Sequence, residues 1–409
     1  MRFAIVLLLP LTGFCQDRLS FGGTVRERYE YFQNGGWGRE PQDDNGYLLQ
    51  RYMVHADLHL WPRLRLFVEL KSGIESGRTG GPRPPDEDKL DAHQGFVEVS
   101  LSLSKSHPIS LRAGRQELSF GSSRLVSFRE GPNVRQSFDG ARLTVVAAGW
   151  QVDTIAVRPV ETNRGVFDDS PDHQRSFWGV YAVRRHVDLY YLGLDRRQAR
   201  FAAGVAREQR HSVGTRLWGE KGSWDYNTEL VAQWGRFGAG PIRAWTVASD
   251  TGYRLAGVPL RPRLGLKADI ASGDRDPSDR TLGTFNALFP KGAYFSEADL
   301  LGPYNLMDLH PSVQLSVGHS VTITPDADFF WRQSTHDGIY NTPGTLIASG
   351  AMSDARYIGC HASVQAEWRA DRRTTLVVQY LHFFPGPFLR QATPGRPVNF
   401  VTTWVSFRL

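Results

Sequence analysis

Residues Leu64-Arg65-Leu66-Phe67-Val68-Glu69-Leu70-Lys71 set Leu64, Leu66, Val68 and Leu70 on one parity and Arg65, Glu69 and Lys71 on the other. Side chains of an extended strand alternate faces with period two, so this stretch has a greasy side and a charged side. The stretch before it does the same, with Leu48, Tyr52, Val54, Leu58 and Leu60 against Arg51, His55, Asp57 and His59. So does the first, with Leu19, Phe21, Val25, Tyr29 and Tyr31 against Ser20, Thr24, Arg26, Arg28 and Glu30. Stretches of this length match the roughly 9–11 residues with which a tilted strand crosses a bilayer core. A barrel wall needs such alternation when one face meets lipid and the other water. A soluble sandwich would also alternate, but its apolar face would turn inward and its sheets would carry fewer charged stripes.

The same reading places further strands near 92–103, 108–118, 138–148, 150–160, 176–185, 187–195, 209–219, 223–236, 241–251, 261–272, 308–318, 320–333, 354–369, 373–384 and 398–409. The total is about eighteen, an even number as bacterial single-chain barrels require. Tight connections fall at Trp61-Pro62-Arg63, Ser104–His107, Gly149, His186 and His319, after even-numbered strands. Long polar ones rich in Gly, Pro, Asp and Asn fall at 32–47, 72–90, 119–137, 161–175, 196–208, 273–307, 334–353 and 385–397. The expected fold is all-β: a single transmembrane antiparallel barrel in the outer membrane of a Gram-negative cell, occupying 16–409. Turns would be short on the periplasmic side and loops long outside, the longest being 72–90, 119–137, 273–307 and 334–353. Outer-membrane lipid is the expected solvent of its outer face. Val401, Thr403, Val405, Phe407 and Leu409 share a parity in the last strand and resemble the signal that barrel-assembly machinery reads. Trp and Tyr near strand ends (Tyr52, Trp61, Trp150, Trp218, Trp224, Trp234) suit interfacial girdles.

Residues 1–15 read as a signal peptide: Arg2, an apolar run from Phe3 to Leu11, and small Gly13 and Cys15 before a cut at Gln16. A lipoprotein reading of Cys15 meets bulky Phe14 where a small residue is expected, and a buried N-terminal strand is the other alternative. No later stretch approaches ~18 uninterrupted apolar residues, which excludes a helical membrane protein. With the leader removed, Cys360 is the remaining thiol, so no intrachain disulfide is expected.

Of 48 cationic residues six are lysines and the other 42 arginines, with a formal net charge of +6. A guanidinium stays charged when confined and offers a planar fork to carboxylates and phosphates; GC-rich coding would also raise arginine. No nucleophile elbow, Walker A loop or H-E-x-x-H occurs, so no catalytic residue, cofactor or metal ligand is assigned, and nothing suggests nucleic acid. His55 and His59 lie about 13 Å apart on a strand at ~3.3 Å per residue, too far for one zinc. Asp274, Asp276 and Asp279 lack the glycine and closing Glu of an EF-hand and read as a solvated loop. Inward parity gathers Arg26, Arg51, Arg65 and Lys71 with Glu98, Arg112, Gln116, Arg142, Arg158, Arg210, Arg216, Asp225, Glu229, Gln233, Arg263, Lys267, Asp269, His361 and Glu367. Rings of arginine select anions, and interleaved carboxylates prevent irreversible capture. The competing reading is that these charges pair across a plugged lumen.

Two segments concentrate charge in glycine-rich, turn-forming sequence. One runs Leu111-Arg112-Ala113-Gly114-Arg115-Gln116-Glu117-Leu118-Ser119-Phe120-Gly121, through Arg124-Leu125-Val126 and Arg135, to Phe138-Asp139-Gly140-Ala141-Arg142-Leu143. The other runs Gly273-Asp274-Arg275-Asp276, Phe285-Asn286-Ala287-Leu288-Phe289-Pro290, Tyr294 and Tyr304-Asn305-Leu306-Met307-Asp308-Leu309. With these the chain resembles the alginate export family, eighteen-stranded outer-membrane porins that secrete an anionic uronate polysaccharide, over nearly its whole mature length. The resemblance implies an anionic polysaccharide as partner, passive passage through an arginine-lined constriction, loops folding in as gates, and periplasmic export components. It implies Arg112, Arg115, Arg124, Arg135 and Arg142 as solute-facing, with Asp139 orienting them. Parity alone supports Arg112 and Arg142; Arg115 lies on the outward parity unless Gly114 is a bulge. A general or small-anion porin, an outer-membrane enzyme with a Ser/His/acid cluster at one rim, and a soluble carbohydrate-binding protein are the other readings.

Overall fold

Alternation of the kind seen at 64–71 fixes a register, because a one-residue slip would turn every side chain to the wrong face. The structure, a computed structural model, describes residues 18–42, 45–102 and 107–409. The expected leader lies outside them, as does most of the turn at 104–107. Eighteen strands form the wall: β1 (Leu19–Gln33), β2 (Tyr47–Trp61), β3 (Leu64–Ser76), β4 (Asp88–Ser102), β5 (Ile109–Gln116), β6 (Phe138–Ala147), β7 (Trp150–Glu161), β8 (Arg175–Arg184), β9 (Val187–Phe201), β10 (Gly204–Lys221), β11 (Trp224–Phe237), β12 (Gly240–Arg254), β13 (Arg263–Ala271), β14 (Leu306–Val317), β15 (Val321–Arg332), β16 (Tyr357–Arg369), β17 (Thr374–Pro385) and β18 (Val398–Arg408). Each is antiparallel to its neighbours, and β18 pairs with β1 from Thr24↔Arg408 to Gln33↔Asn399, closing the ring. Closure leaves no edge strand, which is what lets a sheet sit in hydrocarbon.

The apolar parity faces outward. On β11, Leu230 and Trp234 are each 45% exposed, while Glu229, Val231 and Gln233 on the opposite parity are buried at 3–4%. On β3, Val68 is exposed while Glu69 and Lys71 are buried; on β1, Arg26 and Arg28 are buried while Phe21 is exposed. A soluble fold would show the reverse, and an exposed apolar belt this extensive marks contact with lipid. Aromatic residues border the belt. Trp61, Trp224 and Trp368 lie near the tight-turn end, and Trp234, Trp245 and Phe384 toward the other. Ten residues from Trp224 to Trp234, at ~3.3 Å each on a strand tilted ~40°, rise about 25 Å, the height of a barrel's apolar band.

Turn chemistry follows the side of the barrel. Ala148 and Gly149 have φ of 51° and 78° between β6 and β7, the left-handed pair a two-residue hairpin needs. At the other end β3 and β4 leave 77–87 as the loop, shorter than the expected 72–90. The expected loop at 196–208 is instead strand, β9 and β10 meeting through Ala202 and Ala203 alone. Its polar residues pair across the ladder, Arg196 with Glu208 at 2.9 Å and Arg207 with Asp195, so β9 and β10 continue past the lipid.

Two long loops fold inward and meet. Phe289 N–H donates to Leu125 O and Lys291 N–H to Ser123 O, both at 2.9 Å, and Val126 and Phe289 form a parallel bridge. Phe289 sits edge-on to Phe138 and Phe177 with centroids 5.1 Å away, in a buried cluster with Leu118, Phe120, Ile155, Val157 and Leu192. Part of the inner wall is therefore apolar, a departure from strict ionic-inward alternation, because it receives loops rather than water. Arginine placed at Leu230, midway along β11 on the outer face, should destabilise the refolded barrel by about 2–4 kcal/mol in vesicle urea titrations.

Candidate functional site

Register lines up one inward row across four strands: Arg65↔Glu98, Glu98↔Arg112 and Arg112↔Arg142 are consecutive cross-strand partners. Each guanidinium is held along one edge by a carboxylate. Arg65 makes two bonds to Asp57 (2.8 and 2.9 Å), Arg112 Nε donates to Glu98 at 2.8 Å, and Arg142 Nε donates to Asp153 at 2.8 Å. The side chains stay 26%, 21% and 22% exposed respectively, so each keeps an edge open to the lumen. Rings stiffen the row: Arg112 lies 4.1 Å over Phe96, and Arg65 5.3 Å over Phe67. Like charges directly opposite on a sheet repel, and the flanking carboxylates are what make the Arg112–Arg142 juxtaposition tolerable.

The remaining candidates are engaged by loops. Arg26 and Arg51, 3% and 4% exposed, donate to the carbonyls of Glu130 and Pro132, and Arg51 also pairs with the Glu130 carboxylate. Arg135 contacts Glu130 and Glu117 and stacks on Phe128. Arg124 reaches Glu229 at 3.4 Å. Lys71 bridges Asp88 at 2.7 Å and Asp169 at 2.8 Å. Arg115 makes a two-point contact with Asp139 (2.9 and 3.1 Å) and donates to the carbonyls of Ala92 and Asp169. Both ladders run through Gly114 without a register shift, so the bulge that would turn Arg115 to the parity of Arg112 does not form. Gly114 has a φ of 128° and lies so close to β4 that a Cβ there would meet Gly95 O at 2.2 Å, so the position requires glycine.

Asparagines of the second motif serve as loop ties. Asn286 donates to Glu208 (2.9 Å) and its carbonyl accepts from Gln233 (2.7 Å), while Asn305 donates to the Ser334 and Gly338 carbonyls at 3.0 and 2.9 Å. Sequence reasoning missed a cavity of about 50 Å³ at the loop end, lined by Arg129, Arg175, Arg196, Asn286, Leu288 and Tyr304. Its traceable signal is register: Arg175 and Arg196 are direct cross-strand partners.

These features define an outer-membrane channel of the porin type: a closed belt-bearing barrel whose inner wall carries guanidinium edges beneath inward-folded loops. The alginate export family model matches residues 17–402, and the chain belongs to that family. Among solved structures it is similar to Pseudomonas aeruginosa OccK8 (OprE), at 12% identity, TM-score 0.62, with 97% of this chain and 99% of that one covered. It is also similar to Acinetobacter baumannii OccAB1 (13%, TM-score 0.64, 97% of both chains). A third is P. aeruginosa OccK2 (OpdF), solved in complex with glucuronate (12%, TM-score 0.61, 97% and 99%). No curated protein matches the sequence.

Loop closure carries a pH dependence. Burial pushes the Asp274 carboxyl up to about 6, with Asp337 and Asp279 adding repulsion, and burial likewise holds Asp299 at about 6. A carboxyl raised in the folded state stabilises packing at acid pH, and that contribution is lost as pH rises through the folded value. Hydrogen exchange in 272–305, corrected for intrinsic rate, should therefore be slower at pH 5 than at pH 7.5, and Asp274→Asn with Asp299→Asn should flatten the difference.

Proposed function

We propose that this barrel is an anion-selective channel for passive export of an acidic polysaccharide of the uronate class, with the Arg65–Arg112–Arg142 row as its solute-contacting surface. The observation that carries the reading is the open edge left on each of the three guanidiniums. An arginine already bonded to one carboxylate binds a second weakly, so a chain of uronates advances from site to site without being trapped. Topology adds a spacing: neighbouring strands are ~4.8 Å apart, so the row offers several contacts to a linear polyanion within about 15 Å.

Arg26, Arg51, Arg124 and Arg135 take a different role, holding the inward loop 117–137 over this row. Lys71 and the Arg115–Asp139 pair fasten the rim beside it. Glucuronate, the ligand named for OccK2, carries the carboxylate chemistry the row suits. Family membership points the same way.

Arg142→Glu should shift the zero-current potential of single channels in planar bilayers toward cation preference. It should also weaken block by uronate oligomers about tenfold, the scale of one lost charge-assisted contact. Block that strengthens with oligomer length supports a polymer channel. Unchanged selectivity, or block indifferent to length, would leave a general small-anion porin as the better description.

A further inference from the structure

Across the barrel from the arginine row, about seven strands away around the eighteen-strand ring, β14, β15 and β16 place a second inward cluster that has no place in anion passage. Asp328 and His361 are direct cross-strand partners. His310, from the neighbouring strand, lies between two acids, its Nδ1 3.1 Å from Asp328 Oδ2 and its Nε2 3.2 Å from Asp326 Oδ1. His310, Asp328 and His361 each offer a ligand atom, all within 4.8 Å of one another. Their exposures are 5%, 0% and 3%. We infer that these three residues bind a single divalent cation of the Zn2+ class on the barrel wall.

Unpartnered atoms point to an ion there. Asp328 Oδ1 is buried without a hydrogen bond, and so are both oxygens of neighbouring Asp308. Buried polar atoms are normally satisfied, and buried anions are normally paired or bound to metal. Two imidazoles and one carboxylate are the donor set of a borderline cation rather than of Ca2+ or Mg2+, which take oxygen. Asp326 supplies the outer partner that orients metal-binding imidazoles: it accepts from Ser363 Oγ at 2.7 Å and faces both rings, His361 Nε2 lying 3.3 Å from its Oδ1. Phe330 tilts against His361 at 5.6 Å and is itself covered by Phe295 at 5.3 Å, screening the cluster from the lumen.

Two other clusters with similar spacing, among the described residues, already hold their cation in protein form. Asp88 and Asp169 clasp the Lys71 ammonium, with Asp91 facing Arg115. Glu117, beside His93, faces Arg135. Among the described residues no lysine or arginine pairs with Asp328 or His361; Asp328 faces the His310 imidazole and His361 faces Asp326. The linear spacing hid the site because the ligands come from three separate strands.

The full chain, extracted in detergent with a tag free of histidine and dialysed against micromolar ZnCl2, should retain about one zinc per barrel by elemental analysis. Cobalt should give ligand-field bands that zinc abolishes. His361→Gln should remove the bands, Asp326→Asn should weaken zinc retention about 10–100-fold, and His93→Gln should change neither. Correct folding of each variant is read from heat-modifiable gel mobility. Zinc retention no greater than the detergent blank in the folded wild type would overturn the inference. So would retention that survives His361→Gln and Asp328→Asn in folded protein, or that is lost in His93→Gln alone.

Discussion

Every main-chain N–H and C=O placed in hydrocarbon must find its partner inside the protein, because no water is there to take its place. The β1–β18 pairing meets that demand by joining the first strand to the last. Once the ring is closed, the parity of each strand is no longer negotiable. Val68 and Leu230 must face lipid, and Glu69 and Glu229 must face inward. A charged inner wall is thus a consequence of the ladder, and the interior must find partners for its ions.

Two grades of arginine result. Those under the loops spend their donors on carbonyls: Arg26 alone bonds three successive residues, 130 to 132. Those in the Arg65–Arg142 row are held by side-chain carboxylates from adjacent strands and keep one edge free. Removing one member of a buried pair costs about 3–5 kcal/mol, whereas a partly exposed pair contributes about 0–1 kcal/mol. The first grade holds architecture; the second can be exchanged for solute at small cost.

Strand number and strand bounds were legible because period-two alternation is a local property, and β6, expected at 138–148, spans Phe138–Ala147. The failure at 196–208 has a clear cause. Arg196, Arg207 and Glu208 look like loop composition, yet cross-strand pairing turns a polar run into strand wherever the wall rises beyond lipid. Inward parity correctly grouped Arg112 with Arg142, but it could not separate wall from plug. Phe138 and Phe177 point inward too, and what makes them interior is Phe289, a residue more than a hundred positions away. The Phe285–Pro290 and Arg124–Val126 runs were visible as motifs, and their meeting was not, since nothing local encodes a contact between two loops.

That meeting has a mechanical corollary. The Val126–Phe289 bridge ties the middle of one inward segment to the middle of the other, so neither can swing aside while its companion stays seated. Each tie divides a long floppy closure into shorter ones with fewer accessible shapes. The obstruction in the barrel is thus built as one stitched panel rather than as two separate flaps.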